Sequence, residues 1–320
     1  MNATVQPISQ GALYERVVIV TRKTQLEELT ARFNTVAQAR FYLEHAQQDF
    51  APVEAEHALY HEVLDGVRRL VPRSVKQHVI EREMLPQYTF GEADLVITVG
   101  QDGLVVNTAK YLRNQPILAI NPDPRTIDGI LLPFTAKQIT NAMSGVLAGD
   151  RERQSVTMAQ ATMNTGQTLL AFNDFFIGPK SHVSARYILA QGDEQEQQSS
   201  SGIIVSTGAG STGWLQSIYA GASGVVEALG GKVIPPANGG RLPWDADTLI
   251  YSVREPFPSR RSQATMVYGE VTPNKPLVVT SQMAENGVIF SDGIEQDFIT
   301  FNAGSNVTID IAPHKLQLIV

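Results

Sequence analysis

Cysteine is absent from this chain of 320 residues. Its absence excludes disulfide bonds, thiolate catalysis, cysteine-ligated zinc and iron–sulfur clusters. A chain of this length can bury a full apolar core without such cross-links, and a prior of about 150 residues per domain predicts two domains. With 43% hydrophobic and 18% charged residues, the composition is typical of a globular protein.

An excess of basic residues is also missing. The sequence has 25 Lys and Arg and 32 Asp and Glu, so the formal net charge is -7. A general nucleic-acid-binding protein needs a basic face. We therefore expect no nucleic acid as a partner, although the balance leaves room for a local basic pocket.

Long apolar runs are missing as well. The N-terminal residues show no charged segment followed by an apolar one, so no secretory signal is expected. The uncharged stretch 202–226 is long enough to cross a bilayer, but it is rich in glycine, serine and threonine and has no apolar face all round. We expect no membrane partner and a cytoplasmic location.

The first part of the chain alternates strand-like and helix-like segments. Short apolar runs at 17–20, 95–99 and 116–121 are typical of buried parallel strands. Between them, 26–46 and 53–70 have helical spacing. This alternation predicts a parallel sheet covered by helices, and we assign it to a domain of residues 1–148.

The second part, residues 149–320, is predicted to be a β-rich and largely antiparallel domain. Strand-like runs, such as 168–177 and 277–281, follow one another with turn residues between them. A single helix is expected from Thr212 to about Leu229. The polar segment 192–201 (GDEQEQQSSS) is expected to be a loop.

Three segments contain residues that could carry chemistry. The first is Gly100, Gln101, Asp102 and Gly103, at the end of a predicted strand and the start of a predicted helix. That edge of a parallel sheet binds ligands, and a helix N-terminus attracts phosphate. Asp102 could hold Mg²⁺ or accept a proton from a hydroxyl. The alternative is a plain turn in which Asp102 caps the helix.

The second segment is a glycine-rich loop in which Gly208, Gly210 and Gly213 form the pattern GxGxxG. It lies in the β-rich half, and the acidic residue about 20 positions later, Glu227, falls within a predicted helix, which argues against a Rossmann fingerprint. What remains is a neutral, hydroxyl-rich loop suited to sugars and phosphates. A glycine-rich packing turn is the alternative.

The third segment is Asn173 and Asp174, inside the apolar run LLAFNDFFIG. Polar side chains in a buried strand need partners, because unpaired burial costs a few kcal/mol. They could bind ribose hydroxyls, or they could form an internal hydrogen-bonded pair or a bulge.

His57 and His61 stand four residues apart in a predicted helix, which is a spacing found among metal ligands. No glutamate follows His57 as HExxH requires, and no third ligand is evident from the sequence. A solvated helix face is the favoured interpretation.

These segments, in this order, resemble the motifs of the NAD kinase family, which is related more distantly to diacylglycerol kinases and phosphofructokinases. The amino-acid sequences of these motifs are most similar to those of the mitochondrial-type branch. The matching segments are GQDG at 100–103, ILAINPDP at 117–124, Asn173–Asp174 for the family's Asn-Glu, VSTGAGSTGW at 205–214, YSVREP at 251–256, and Asp292–Gly293.

The resemblance implies a Rossmann-like N-terminal domain, a β-rich C-terminal domain and an active site between them. It further implies transfer of the ATP γ-phosphoryl group to the 2′-hydroxyl of NAD to form NADP, with ATP, Mg²⁺ and NAD as ligands and a homo-oligomeric assembly. Asp102 would be catalytic and could hold Mg²⁺, and Gly100, Gln101 and Gly103 would bind donor phosphates. The dinucleotide-binding residues implied are Asn173, Asp174, Ser206, Thr207, Gly210, Ser211, Thr212 and Asp292.

Three positions depart from the family pattern. Gln101 replaces the second glycine of GGDG, Leu104 replaces a threonine, and Asp174 is one methylene shorter than the family glutamate. A glycine allows close approach of backbone to phosphate, which a side chain at 101 could block. The alternatives are therefore a catalytically weak NAD(P)-binding regulatory protein, or a kinase of another hydroxyl compound such as a sugar or lipid.

Overall fold

The computed structural model describes residues 13–234 and 237–320. The chain divides into two compact units, the first formed by residues 1–154 together with 317–320 and the second by residues 155–316. The return of the C-terminal segment to the first unit is not indicated by the sequence.

The first unit is built on a mostly parallel sheet with the strand order β2-β1-β3-β4-β19-β6, and β5 pairs with β4. The pairs β1–β2, β1–β3, β3–β4, β4–β5 and β4–β19 are all parallel. The strands are β1 (Arg16–Thr21), β2 (Lys76–Glu81), β3 (Asp94–Val99), β4 (Pro116–Asn121), β5 (Phe134–Thr135), β6 (Arg153–Val156) and β19 (Leu316–Ile319).

In the part of this unit that the structure describes, five α-helices accompany the sheet: α1 (Gln25–Phe33), α2 (Val36–His45), α3 (Ala51–Leu70), α4 (Asp102–Ala109) and α5 (Ile139–Ala148). Val63 and Val67 of α3 and Ala142 and Val146 of α5 are buried in one core cluster with the apolar residues of the central strands. Sequence periodicity alone suggested one helix over 26–46. The structure breaks it at Asn34, whose φ of 67° ends α1, and Thr35 then caps α2 by accepting a hydrogen bond from the Gln38 N–H.

The second unit consists of two antiparallel six-stranded sheets, ordered β11-β10-β15-β18-β7-β8 and β14-β13-β12-β9-β16-β17. Their apolar residues form one cluster in which Phe175, Tyr187 and Phe301 are fully buried. The elements are β7 (Ala159–Met163), β8 (Thr168–Ala171), β9 (Asp174–Pro179), β10 (Ala185–Gln191), β11 (Glu194–Ser200), β12 (Gly202–Ser206), α6 (Trp214–Ala228), β13 (Leu249–Arg254), β14 (Tyr268–Val271), β15 (Leu277–Ser281), β16 (Gly287–Ser291), β17 (Ile294–Thr300) and β18 (Asn306–Ile311).

The fold class predicted from the sequence is confirmed: an α/β unit with a parallel sheet is followed by a β-rich unit. The uncharged stretch 202–226 forms β12, a glycine-rich turn and most of α6. Within the described residues, no helix combines the length and the apolar character needed to cross a bilayer.

The prediction of a loop at 192–201 is wrong, because Glu194–Ser200 is strand β11 and pairs along its whole length with β10. Alternate side chains of this polar strand, Glu196, Gln198 and Ser200, point inward and are buried. The buried Glu196 carboxylate accepts hydrogen bonds from the backbone N–H of Met266, at 2.9 Å, and from the backbone and hydroxyl of Thr265. A polar strand is thus stable here because the tertiary structure supplies donors that the local sequence does not show.

Burial by itself raises the pKa of Glu196, but the hydrogen bonds from Thr265, Gln198 and Met266 outweigh burial and hold the pKa below its ordinary value. We expect Glu196→Ala to lower the free energy of unfolding by roughly 2 to 4 kcal/mol, since several buried donors lose their acceptor. Glu194→Ala, at an exposed position on the same strand, is the matched control and should change stability little. Urea denaturation at neutral pH measures both variants, and an unaltered midpoint for Glu196→Ala would contradict the assignment.

Candidate functional site

The loop after β3 leads directly into α4. Gln101 is the N-cap residue and makes no side-chain capping bond, so Asp102 is the first residue of the helix and not its cap. Gln101 and Gly103 are exposed, and a Cβ placed on Gly103 would meet no atom within 4 Å. The Leu104 N–H donates to the Gln101 carbonyl at 2.8 Å, and the space beside Gly103 is open at the start of the helix, a place that suits an anion.

Asp102 is oriented by a distant part of the chain. Its Oδ1 accepts a hydrogen bond of 2.7 Å from the backbone N–H of Leu131, and the side chain is half-buried. Its other oxygen has no hydrogen-bond partner among the described residues. A carboxylate held in this way can accept a proton from a hydroxyl, and it is the kind of oxygen ligand that Mg²⁺ takes.

Asn121, the last residue of β4, forms hydrogen bonds within the segment that leads from β4 to Leu131. The Asn121 amide donates to the carbonyl of Ile127 at 3.0 Å, and its oxygen accepts from the N–H of Asp123 at 3.0 Å. Gly129 has a φ of 66°, and a Cβ there would lie 2.5 Å from Asn121 Nδ2. Glycine is therefore required at this turn both by conformation and by space.

Arg22 is a residue of this site that the sequence did not single out. A Cβ on Gly100 would lie 3.5 Å from Arg22 Cδ, so the arginine packs against the start of the loop. Glu56 on α3 holds the guanidinium in an ion pair of 2.6 Å. In the sequence, Arg22 is marked only as a basic residue directly after the first buried strand. That pattern is too common to identify a site.

In the second unit, three polar segments meet at one end of a sheet. Asp174 opens β9 and lies opposite Ser206, the last residue of β12, while Phe175 lies opposite Ser291, the last residue of β16. Since β9 runs antiparallel to both neighbours, the residues before β9 and those after β12 and β16 reach the same edge. The topology therefore joins Asn173–Asp174, the glycine-rich loop and Asp292.

Asp292 organises this edge through its carboxylate. It accepts hydrogen bonds from three successive backbone N–H groups, those of Phe172 at 3.0 Å, Asn173 at 2.7 Å and Asp174 at 3.4 Å. In return the Asp292 N–H donates to the carbonyl of Asp174 at 3.0 Å. Asp292 has a φ of 55° and Gly293 a φ of 69°, a tight left-handed turn. The sequence predicted a single strand over 168–177, and this carboxylate is what breaks it into β8 and β9.

The side chains of Asn173 and Asp174 are half-buried, and no described residue forms a hydrogen bond with either of them. Burial raises the pKa of Asp174 to about 7, and the negative charge of Asp292 adds to that effect. A polar pair held in place, with unused donors and acceptors, is the feature expected of a ligand site. The internal pair considered from the sequence is not formed.

The glycine-rich loop packs against the Asn173 turn. A Cβ on Gly210 would lie 2.1 Å from the Asn173 carbonyl oxygen, so the close approach requires glycine. The Thr207 hydroxyl donates to the Phe172 carbonyl at 2.6 Å, and the Thr207 N–H donates to the Asn173 carbonyl at 2.8 Å. The loop and the turn therefore form one hydrogen-bonded body.

The hydroxyl-bearing residues of this loop have different surroundings. Ser206, Thr207 and Ser211 are buried and donate to the protein's own carbonyl groups, those of Thr207, Phe172 and Gly208 respectively. Thr212 is exposed. The three buried hydroxyls shape the loop, and Thr212 is free to meet solvent or a ligand.

Sequence comparison with known proteins finds relatives that are named as NAD or NADH kinases. The chain is 23% identical over 229 residues to an NAD kinase of Chlorobaculum tepidum, which covers 71% of each protein. It is 25% identical over 226 residues to a probable NADH kinase of Oryza sativa subsp. japonica, so the chain spans 63% of that relative's length. No family model matches the chain.

Solved structures share the fold. An NAD kinase from Archaeoglobus fulgidus in complex with ATP matches with a TM-score of 0.55 and 16% identity, covering 95% of this chain and 93% of that one. Yeast NADH kinase complexed with NADH matches with a TM-score of 0.59 and 15% identity, covering 98% and 85%. Together with the sequence relatives, these matches confirm the resemblance to the NAD kinase family.

The raised pKa of Asp174 predicts a pH-dependent stability. Because the folded-state pKa of about 7 exceeds the ordinary value of 3.8, the folded protein binds a proton that the unfolded chain releases. The free energy of unfolding should therefore fall as the pH rises from about 4 to about 7. Asp174→Asn should abolish this loss and be more stable than the wild type at pH 8, by roughly 1 to 4 kcal/mol.

Thermal denaturation between pH 4.5 and 8.5 in the absence of ligand measures this difference. Asp193→Asn, at an exposed aspartate in the same unit, is the control and should follow the wild-type curve. Parallel pH profiles for the wild type and Asp174→Asn would contradict the raised pKa of Asp174 in the folded protein.

Proposed function

We propose that this chain belongs to the NAD kinase family and is a phosphotransferase that moves the γ-phosphoryl group of ATP to the 2′-hydroxyl of NAD or NADH, forming NADP or NADPH. The observation that carries the proposal is the pair Asn173 and Asp174. Their side chains are half-buried, held by Asp292, and unpartnered by any described residue.

Ribose recognition follows from the chemistry of that pair. A ribose presents adjacent hydroxyl groups, each of which both donates and accepts hydrogen bonds. The Asn173 amide offers donors and an acceptor. The Asp174 carboxyl, with a pKa of about 7, offers an acceptor when ionised and a donor when protonated. Such a pair rejects ligands without hydroxyl groups, because its own polar atoms would stay unpaired.

Phosphate binding is assigned to the start of α4. The space beside Gly103 is open at the start of this helix, and the helix dipole favours negative charge there. The Gln101 side chain is exposed and has no hydrogen-bond partner among the described residues, so its amide can donate to a phosphate oxygen. Arg22 packs beside Gly100, and its guanidinium is paired there with Glu56.

The proposed reaction forms a bond between the 2′-oxygen and the γ-phosphorus, breaks the bond to the β-phosphate oxygen and releases ADP. The proton of the hydroxyl passes to the free oxygen of Asp102, whose other oxygen is fixed by the Leu131 N–H. Asp102 would be the residue to hold Mg²⁺, and the ion would neutralise charge on the phosphate groups. Phosphoryl transfer needs mostly positioning and charge neutralisation, so few catalytic side chains are required.

Several finer features of the proposal stay predictions. They are the assignment to the mitochondrial-type branch, the preference between NAD and NADH, the cytoplasmic location and the homo-oligomeric state. The roles of Ser206, Thr207, Gly210 and Ser211 are proposed as shaping the dinucleotide loop, and that of Thr212 as contacting the ligand.

Asp102→Asn tests the catalytic assignment. The change removes the basic oxygen and the charge but keeps the shape, so the turnover rate should fall by at least about 100-fold while dinucleotide affinity changes little. Steady-state formation of NADP and calorimetric titration with NAD measure the two quantities. Asp150→Asn, at an exposed aspartate of the same unit, is the control. Full turnover by Asp102→Asn would exclude Asp102 as the base.

Gln101 decides between an active kinase and a binding protein. If its amide holds a donor phosphate, Gln101→Ala should lower the rate and raise KM for ATP severalfold with NAD affinity unchanged. If its side chain instead obstructs the phosphate site, Gln101→Gly should be the faster enzyme. Kinetics of both variants with ATP and NAD distinguish the two, and a faster Gln101→Gly enzyme would support the weakly catalytic, NAD(P)-binding alternative.

A further inference from the structure

Two helices of the first unit bring three metal-ligating side chains together. One ligand atom from each of Glu27, His57 and His61 lies within 4.8 Å of the other two. The histidines stand one turn apart on α3, and Glu27 comes from the first turn of α1. The sequence shows the histidine spacing, and the fold supplies the third ligand that the sequence does not.

The distances are close to those of a coordinated ion. His61 Nε2 lies 3.1 Å from Glu27 Oε1, and the two imidazole rings have centroids 4.4 Å apart in an edge-to-face arrangement. In a tetrahedral zinc site with bonds of about 2.0 to 2.1 Å, neighbouring ligand atoms are about 3.3 Å apart. The separation of the Glu27 and His61 atoms therefore fits a shared ion, and the ligand atom of His57 lies within 4.8 Å of both.

A buried threonine orients two of the three ligands. The hydroxyl of Thr24, which is fully buried, lies 2.8 Å from His57 Nδ1. The Thr24 N–H donates to Glu27 Oε2 at 2.7 Å, which leaves Oε1 as the oxygen beside His61. Outer partners of this kind set the tautomer and the orientation of metal ligands. In the tautomer whose Nδ1–H donates to Thr24, the lone pair of His57 is on Nε2 and can bind a metal.

The cluster is open to solvent on one side, since the side chains of His61 and Glu27 are 41% and 37% exposed. An ion can therefore enter, and a water molecule can take a fourth position. Two imidazoles and a carboxylate favour late first-row divalent ions over Mg²⁺ or Ca²⁺, which prefer oxygen ligands alone.

We propose that Glu27, His57 and His61 form a binding site for a divalent transition metal of the zinc class. This site stands independently of the phosphotransferase proposal. The ion would join the beginning of α1 to the middle of α3. The same stretch of chain is already held there, because the Arg22 N–H donates to the Tyr60 hydroxyl at 3.0 Å and Arg22 pairs with Glu56. Metal binding would thus stabilise the segment that places Arg22 beside Gly100.

The test uses untagged full-length protein, treated with chelator and dialysed, and titrated with Co²⁺ alone and with Zn²⁺ alone. We expect saturable binding of one Co²⁺ per chain with visible absorption bands of a low-coordinate ion, displacement of Co²⁺ by Zn²⁺, and a higher melting temperature with Zn²⁺. His61→Gln and Glu27→Gln should each weaken Zn²⁺ binding by at least tenfold in calorimetry.

His45→Ala is the matched control, since His45 is an exposed histidine on α2 outside the cluster, and it should bind Zn²⁺ as the wild type does. Circular dichroism of each metal-free variant establishes that the fold is kept, and the half-exposed positions of His61 and Glu27 favour that result. Absence of saturable binding at millimolar Zn²⁺ would overturn the proposal. Binding that is equally tight in a folded His57→Ala/His61→Ala double variant would also overturn it.

Discussion

The candidate dinucleotide site depends on the carboxylate of Asp292. Three successive N–H groups at the β8–β9 turn have this carboxylate as acceptor, and Asp292 bonds back to the carbonyl of Asp174. Hydrogen bonds to an ionised acceptor are about twice as strong as neutral ones. The turn that results separates β8 from β9, and no described residue forms a hydrogen bond with the half-buried side chains of Asn173 and Asp174.

Carboxylates accept backbone N–H groups in the same way at two other places among the described residues. The Asp102 carboxylate accepts the N–H of Leu131, and the Glu196 carboxylate accepts the N–H groups of Thr265 and Met266. In each case a carboxylate supplies the acceptor for backbone that would otherwise leave donors unpaired, between segments far apart in the sequence.

Asp174 and Glu196 show how the same kind of group acquires opposite properties. Glu196 receives several hydrogen bonds, so its pKa stays below the ordinary value despite burial. Asp174 receives none from described residues and lies near the charge of Asp292, so its pKa rises to about 7. The satisfied carboxylate stabilises the fold, and the unsatisfied one is the better candidate for ligand recognition, because only it has free bonding capacity.

The sequence by itself determined the alternation of apolar runs and helical periods, and with it the α/β unit followed by a β-rich unit, because burial on sheets and helices imposes those periods locally. It also marked the segments around Asp102, Asn173 and Gly210. Only the tertiary structure decided that polar β11 is a strand, that Asp292 breaks 168–177 into two strands, and that Glu27 lies beside His57 and His61. Each of these depends on a donor, acceptor or ligand far away in the chain, which no local pattern of residues can show.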